Sequence, residues 1–170
     1  MAKTAREAEF TAYVASRSGW LRKVAYLLCG DWHRADDLVQ ESITKLYVNW
    51  PRAGRVENVD GYARKVLVNT FLAEQRSSWW RRTTRTGVEP DTESVSVDLD
   101  ASLDLRKALA ALPPRQRATV VLRYYCDLTI DQAAEALGCS SGNVKSQTSR
   151  GLEALRTTLA VRPTTAERTS

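Results

Sequence analysis

TIDQAAEALGCSSGNVKSQTSRGLEALR, residues 129–156, reads as two short helices broken by a single glycine turn. Ile130, Ala133, Ala134 and Leu137 recur at i, i+3, i+4 and i+7, which places them on one helical face. Thr129 and Gln132 stand at capping-box spacing and set the start of that helix. Gly138 can adopt the left-handed backbone that ends a helix without steric cost. The second helix then turns Val144, Thr148, Leu152, Leu155 and Leu159 inward. Near its start it carries Ser141, Asn143, Lys145, Ser146, Gln147 and Arg150 on the opposite side. Small Ala134, turn Gly138 and inner Val144 sit where the two helices must approach closely. This is the layout of a helix-turn-helix, whose second helix enters the major groove and meets base edges and phosphates. Any helical hairpin needs a turn and an apolar face, but the polar leading face beside the buried valine favours DNA.

The chain of 170 residues suits one ordinary domain or two small ones. Its net charge of +5 is compatible with a polyanionic partner but too modest to require one. The distribution says more. Residues 1–85 hold 15 Lys/Arg against 9 Asp/Glu, residues 86–104 hold six acids and no base, and residues 105–162 hold nine bases against four acids. Two basic lobes therefore flank an acidic strip. That strip, TGVEPDTESVSVDLD, is poor in large apolar residues and rich in turn formers, so a flexible linker is expected. Two roles fit its composition: a soluble spacer, and a DNA mimic that screens a basic surface.

The first lobe reads as helices almost throughout. Phe10, Tyr13, Val14, Trp20, Leu21, Val24, Ala25 and Leu28 form an apolar face, with a break expected at Ser18-Gly19. RADDLVQESITKLYVNW, residues 34–50, is amphipathic along Leu38, Ser42, Leu46 and Trp50. Asp36, Asp37, Gln40 and Glu41 gather at its expected start, where acids suit the positive helix end. Pro51 and Gly54 are expected to terminate it. The following segment has an inner face of Tyr62, Val66, Leu67, Phe71 and Leu72, while Arg64, Lys65 and Asn69 project elsewhere. It ends basic and aromatic, in Arg76, Trp79, Trp80, Arg81, Arg82 and Arg85. Core packing and base stacking both suit the tryptophans. The arginine cluster, with no acid within it, favours phosphate.

No apolar run is long enough to span a membrane, and the polar start AKTAREAEF has no signal-like apolar core. Cys29, Cys126 and Cys139 are odd in number, widely spaced and accompanied by the lone His33. A cytoplasmic location without a disulfide frame or a zinc site is expected. No metal-ligand cluster, phosphate-binding glycine loop or nucleophile set stands out, so no enzyme, cofactor or metal is expected.

Taken together the lobes resemble a group IV, or extracytoplasmic-function, sigma factor of bacterial RNA polymerase. The resemblance implies an all-α protein of two small helical domains joined by the acidic linker. Region 2 would span residues 5–85, the linker 86–100, region 4 residues 101–160, and a disordered tail 161–170. RADDLVQESITKLYVNW is similar to region 2.2, which docks on the clamp coiled coil of core polymerase; Asp37, Gln40 and Glu41 would be its polymerase-facing polar residues. YARKVLVNTFLAEQR resembles regions 2.3 and 2.4, which open and read the −10 element. There Arg64, Lys65, Asn69, Arg76, Trp79, Trp80, Arg81 and Arg82 would contact DNA, and Asn69 matches an asparagine bordering the base-capturing loop. LPPRQRATVVLRYYCDLTIDQAAEALGCSSGNVKSQTSRGLEALR is similar to region 4, which reads the −35 element and contacts the polymerase flap. Pro114 would sit in the first turn of its helix. Ser141, Asn143, Lys145, Ser146, Gln147 and Arg150 would face the −35 groove. Many members read GTVKSRL where this chain has GNVKSQT, and that form with the WWRR ending is most similar to the SigE-like branch. An anti-sigma factor is a further implied partner. A helix-turn-helix regulator that never docks on polymerase competes with this reading, but it needs neither the DDLVQES helix nor the Asn69–Arg85 segment.

Overall fold

The structure, a computed structural model, describes residues 2–53, 57–84 and 100–160, without the side chains of residues 2, 53, 79–84 and 100–103. Among these residues the protein is helical, with α1 at Ala2–Cys29, α2 at Trp32–Val48, α3 at Trp50–Ala53, α4 at Val59–Thr84, α5 at Asp100–Ala110, α6 at Pro114–Val120, α7 at Ile130–Leu137 and α8 at Ser141–Ala160. A π-helical turn, Val121–Tyr125, prolongs α6 and closes with Cys126 N–H donating to the Val121 carbonyl at 3.1 Å.

Helices α1, α2 and α4 supply the core of the first lobe. Leu21, Val24 and Leu28 of α1, Leu38 and Leu46 of α2, and Leu67, Val68 and Phe71 of α4 are all buried. Helix α1 runs unbroken through Ser18-Gly19. Gly19 is exposed and has no neighbour within 4 Å of an added Cβ. Its cost of about 1 kcal/mol in a helix interior is outweighed by core residues on both sides. Helix α2 starts two residues earlier than Arg34, because Asp31 caps it by accepting from the His33 N–H at 2.8 Å. The acids of its head therefore lie beyond the first turn. Pro51 does not end α2. That helix closes at Asn49, and Pro51 occupies the first turn of α3, where a missing N–H costs little. Trp50 still reaches the core, from α3, and stands edge-on to Phe10 at 5.4 Å.

The second lobe follows the expected hairpin closely. Thr129 and Gln132 form the reciprocal capping box, and Gly138 sits at φ 65°. Ala134 and Val144 are buried at the helix crossing, as the spacing implied. Leu159 is exposed instead of inward, since α8 outruns the core. Gly151 does what Leu159 does not. An added Cβ there would lie 2.7 Å from Val120 Cγ2, so α6 and α8 approach as closely as they do only over a glycine.

The two lobes pack on one another. A single apolar cluster runs from Leu21, Leu38 and Phe71 into Ala118, Leu122, Ala133, Leu137 and Val144. A smaller one joins Leu109, Leu112, Val120 and Leu155, with Leu27 of α1 against it. The expected linker, 86–100, lies outside the described residues except for Asp100, which opens α5; so do the tail, 161–170, and the side chains of Trp79, Trp80, Arg81 and Arg82.

Gly151→Ala is expected to destabilise the protein by about 1 kcal/mol in urea unfolding. Overpacking at a stiff β-branched neighbour costs about 1–3 kcal/mol, against a helix-propensity gain of up to about 1 kcal/mol. In a Val120→Ala background the same substitution should cost less; an equal loss in both backgrounds would reject the contact as its cause.

Candidate nucleic-acid interface

Helix α8 is preceded by Ser140, whose Oγ accepts from the Asn143 N–H at 3.1 Å. The leading turn so presented carries the positive end of the helix dipole. Val144, Gly151 and Leu155 fix the inner side, which leaves Gly142, Lys145, Ser146, Ser149 and Arg150 exposed with Asn143 beside them. Ser141 is partly buried and donates to Asp131 at 2.7 Å, tying α8 to α7. Thr148 is partly buried and donates to the Val144 carbonyl at 2.7 Å. Gln147 sits on the flank turned toward α4 and is half-buried there.

Ser149, Arg156 and Arg123 do not stand out in the sequence. They line a 340 Å³ cleft with Lys145, Thr148, Ile130 and Leu152, so three cations and two hydroxyls meet with no acid among the lining residues. Lys145, Ser149, Leu152 and Arg156 stand at i, i+4, i+7 and i+11, so the helical period could have grouped these four. Arg123 arrives from another element and donates to the Leu128 carbonyl.

In the first lobe Lys65, Asn69 and Arg76 lie on one exposed stripe of α4. Arg64 points elsewhere: its guanidinium lies 5.4 Å from the Trp20 ring, and its Nε donates to the Asp60 carbonyl at 3.4 Å. Lys65 and Asn69 border a 300 Å³ cleft with Lys45, Asn49, Tyr62, Val66 and Thr70. Lys45 Nζ donates to Thr70 Oγ1 at 3.1 Å, which holds a cation in that wall. Sequence spacing does not group Lys45, Asn49 and Tyr62 with Asn69, because only the crossing of α2 over α4 brings them there. Arg76 lies apart from this cleft, in a second one of 580 Å³ that it shares with Leu72, Gln75 and, from the other lobe, Gln147 and Arg150.

Asp37, Gln40 and Glu41 are exposed on α2. Asp36 is not free to join them, since Arg22 holds it at 2.6 Å and keeps its carboxyl below the usual range. Glu41 pairs with Lys45 at 3.5 Å. It also faces Glu74 of α4, whose carboxyl is pushed up to about 7 by burial, by a hydrogen bond to Glu41 and by the Glu41 charge. The three cysteines are half-buried and free; burial pushes the Cys29 thiol up to about 12. Among the described residues no group of His, Cys, Asp and Glu could hold a metal ion, and no helix is long and apolar enough to cross a membrane.

A helix-turn-helix with an open polar face, coupled to a second helical lobe with its own basic stripe, defines a two-lobed DNA-binding protein. The sigma-70 region 2 model matches residues 10–81, and the sigma-70 region 4 model matches residues 102–155. The RNA polymerase sigma-E factor of Streptomyces coelicolor is 34% identical over 161 residues, covering 91% of this chain and 88% of that protein. The sigma-E factor of Streptomyces avermitilis is 35% identical over 165 residues, covering 91% and 87%. The sigma factor RpoE of Bartonella quintana, solved in complex with the anti-sigma factor NepR, superposes with a TM-score of 0.71 at 25% identity, over 91% of this chain and 99% of that one. The chain belongs to the sigma-70 family, in its extracytoplasmic-function group. It is an RNA polymerase sigma factor, which directs initiation at promoters by binding core polymerase and the −35 and −10 elements.

The Glu41–Glu74 contact makes stability depend on pH. A carboxyl whose pKa rises from 4.5 to about 7 on folding holds its proton more tightly in the folded chain. Its contribution is present in full below pH 4.5 and is lost as pH rises toward 7. Between pH 5 and pH 8 the urea midpoint should therefore fall less for Glu74→Gln than for the wild type. Parallel falls for both proteins would exclude Glu74 as the source.

Proposed function

We propose that this sigma factor reads the −35 element with the exposed leading face of α8 and the −10 element with the Lys65 stripe of α4. The observation that supports the reading most is that face itself: an N-terminal helical turn whose Asn143, Lys145, Ser146 and Arg150 are exposed, backed by buried Val144. Lys145 and Arg150 meet phosphates or base edges, and Asn143, Ser146 and Gln147 meet base edges. Ser141 contributes by orienting α8 through Asp131. Where many relatives of the family carry arginine, Gln147 offers an amide suited to adenine rather than a guanidinium suited to guanine. In the first lobe Lys65, Asn69 and Arg76 track the −10 strand, and Arg64 joins them if it leaves Trp20. Trp79, Trp80, Arg81 and Arg82 extend this surface by their place in the sequence.

The cleft beside Asn69 is the natural receptacle for an unstacked base, with Tyr62 and the Asn49 amide in its wall. Unstacking costs a few kcal/mol, which contacts in such a cleft and phosphate neutralisation by Lys45 and Lys65 offset. The exposed Asp37, Gln40 and Glu41 form the polymerase-docking patch of α2. Region 2 takes residues 5–85, region 4 takes 101–160, and the acidic segment between them is the linker. The protein performs no catalysis, acts in the cytoplasm where its polymerase works, and takes an anti-sigma factor, as the Bartonella quintana relative does.

Run-off transcription with purified core polymerase on a genomic promoter library tests the reading, and returns both promoter elements. A regulator that does not join polymerase would give no promoter-specific RNA. Gln147→Ala is expected to relax −35 preference at one base pair by about tenfold, the scale of one base contact, with core binding intact. Unchanged ranking of −35 variants would remove Gln147 from the readout. The double variant Gln40→Ala, Glu41→Ala should lower co-purification with core polymerase while leaving binding to isolated −35 duplex unaltered; full co-purification would dismiss the patch.

A further inference from the structure

The cleft that Gln147 borders has a chemistry that base reading does not use. Leu72, Gln75 and Arg76 stand at i, i+3 and i+4 on α4 and turn one helical face into it. Pro113 and Pro114, which lead into α6, form another part of its wall. Proline has a fixed φ and no backbone N–H, so that part is stiff and carries no donor to satisfy. With Leu72 and the aliphatic stems of the longer side chains it makes a mostly apolar interior of 580 Å³. Sites for small molecules occupy about 300–1,000 Å³.

Positive charge borders this interior. Arg76 of α4, Arg115 of α6 and Arg150 of α8 all line the cleft, with no acid among the lining residues. All three are exposed, and among the described residues no ion pair engages them. Like charges around a partly shielded space repel one another, and an anion between them offsets that repulsion. Guanidinium groups bind phosphate oxygens in bidentate, charge-assisted pairs. A DNA duplex, whose major groove alone is about 12 Å wide, does not enter a space of 580 Å³, whereas a small phosphate ester fits.

We propose that this cleft is a small-molecule site for an amphiphilic phosphate: a phosphomonoester whose apolar body packs on Leu72, Pro113 and Pro114 and whose head is held by Arg76, Arg115 and Arg150. Binding draws on both halves, apolar burial for the body and charged hydrogen bonds for the head. The site itself does not depend on which face of α8 reads DNA. Its regulatory consequence does rest on that reading. With Gln147 and Arg150 assigned to the −35 element, ligand and promoter compete for the same two side chains.

Calorimetric titration of the full chain with octyl phosphate, kept below its micelle concentration, tests the site. One molecule should bind per chain, and Arg115→Gln should weaken binding about tenfold, the scale of one charged hydrogen bond. Gln75→Trp, which fills the cleft from α4, should abolish binding, and it decides the matter if Arg115→Gln loses helix. Arg156→Gln, an equal loss of charge in a different cleft, should leave binding unchanged. Inorganic phosphate has the head without the body, and octanoate has the body with a singly charged head. Either of them binding as tightly as octyl phosphate overturns the proposal, as does absence of binding or equal weakening by Arg156→Gln. With octyl phosphate at about ten times its Kd, affinity for a −35 duplex should fall about tenfold. Unaltered duplex affinity with the ligand still bound keeps the site and rejects the assignment of α8.

Discussion

A half-buried guanidinium set among carbonyls is the constraint around which this chain is arranged. Arg117 leaves α6 and meets the turn that ends α5 on one side and the end of α1 on the other. Each of these termini carries carbonyls with no intrahelical donor. A partly buried cation without partners would be costlier than the same cation hydrogen-bonded on several sides. Burial draws the Arg117 pKa down, yet an arginine stays charged near neutrality, so the carbonyls have to be there. Helix ends and cation thus satisfy each other, and the position of α5 against α6 follows from it. The same group reaches across 89 residues to bring the first lobe into register with the second.

Local chemistry explains what could be read from the sequence. The capping box of Thr129 and Gln132, the glycine at φ 65° and the buried valine of α8 all act within a few residues of one another. Their meaning does not depend on the rest of the fold. The apolar stripe of α2 was legible for the same reason. Its start was not, because an acidic cluster looks like a helix head whether or not a better cap lies upstream. Asp31 is that cap, and it moves the polar residues Asp37, Gln40 and Glu41 onto the body of the helix. Gly19 misled through propensity alone, since neither its exposure nor the packing on either side of it is written locally.

What the sequence hid is long-range. Gly151 reads as a weak helix position until Val120 is seen over it. Lys45, Asn49 and Tyr62 are ordinary residues of two helices until the crossing of α2 and α4 assembles them beside Asn69. Arg117 and Arg106 are two among many basic residues, and a charge count assigns them to DNA as readily as any other. Their donors are instead directed at backbone carbonyls, at the end of α1 for both and, for Arg117, also around the turn that ends α5. Basic composition therefore overstates how much positive charge this protein offers to DNA while the lobes are together.

The recognition helix shows how packing and readout divide a single element. Val144, Gly151 and Leu155 commit one side of α8 to its own lobe, and Lys145, Ser146, Ser149 and Arg150 are left exposed. Gln147 lies on the boundary, half-buried against the cleft shared with α4. An arginine at that place would add a further charge to Arg76 and Arg150, already there, and to Arg115 on the rim. Like charges gathered in a partly shielded cleft repel more strongly than they do in open water. Glutamine keeps hydrogen-bonding capacity for a base edge without that repulsion. Glutamine at 147 thus adds no further charge to the cleft that α8 shares with α4.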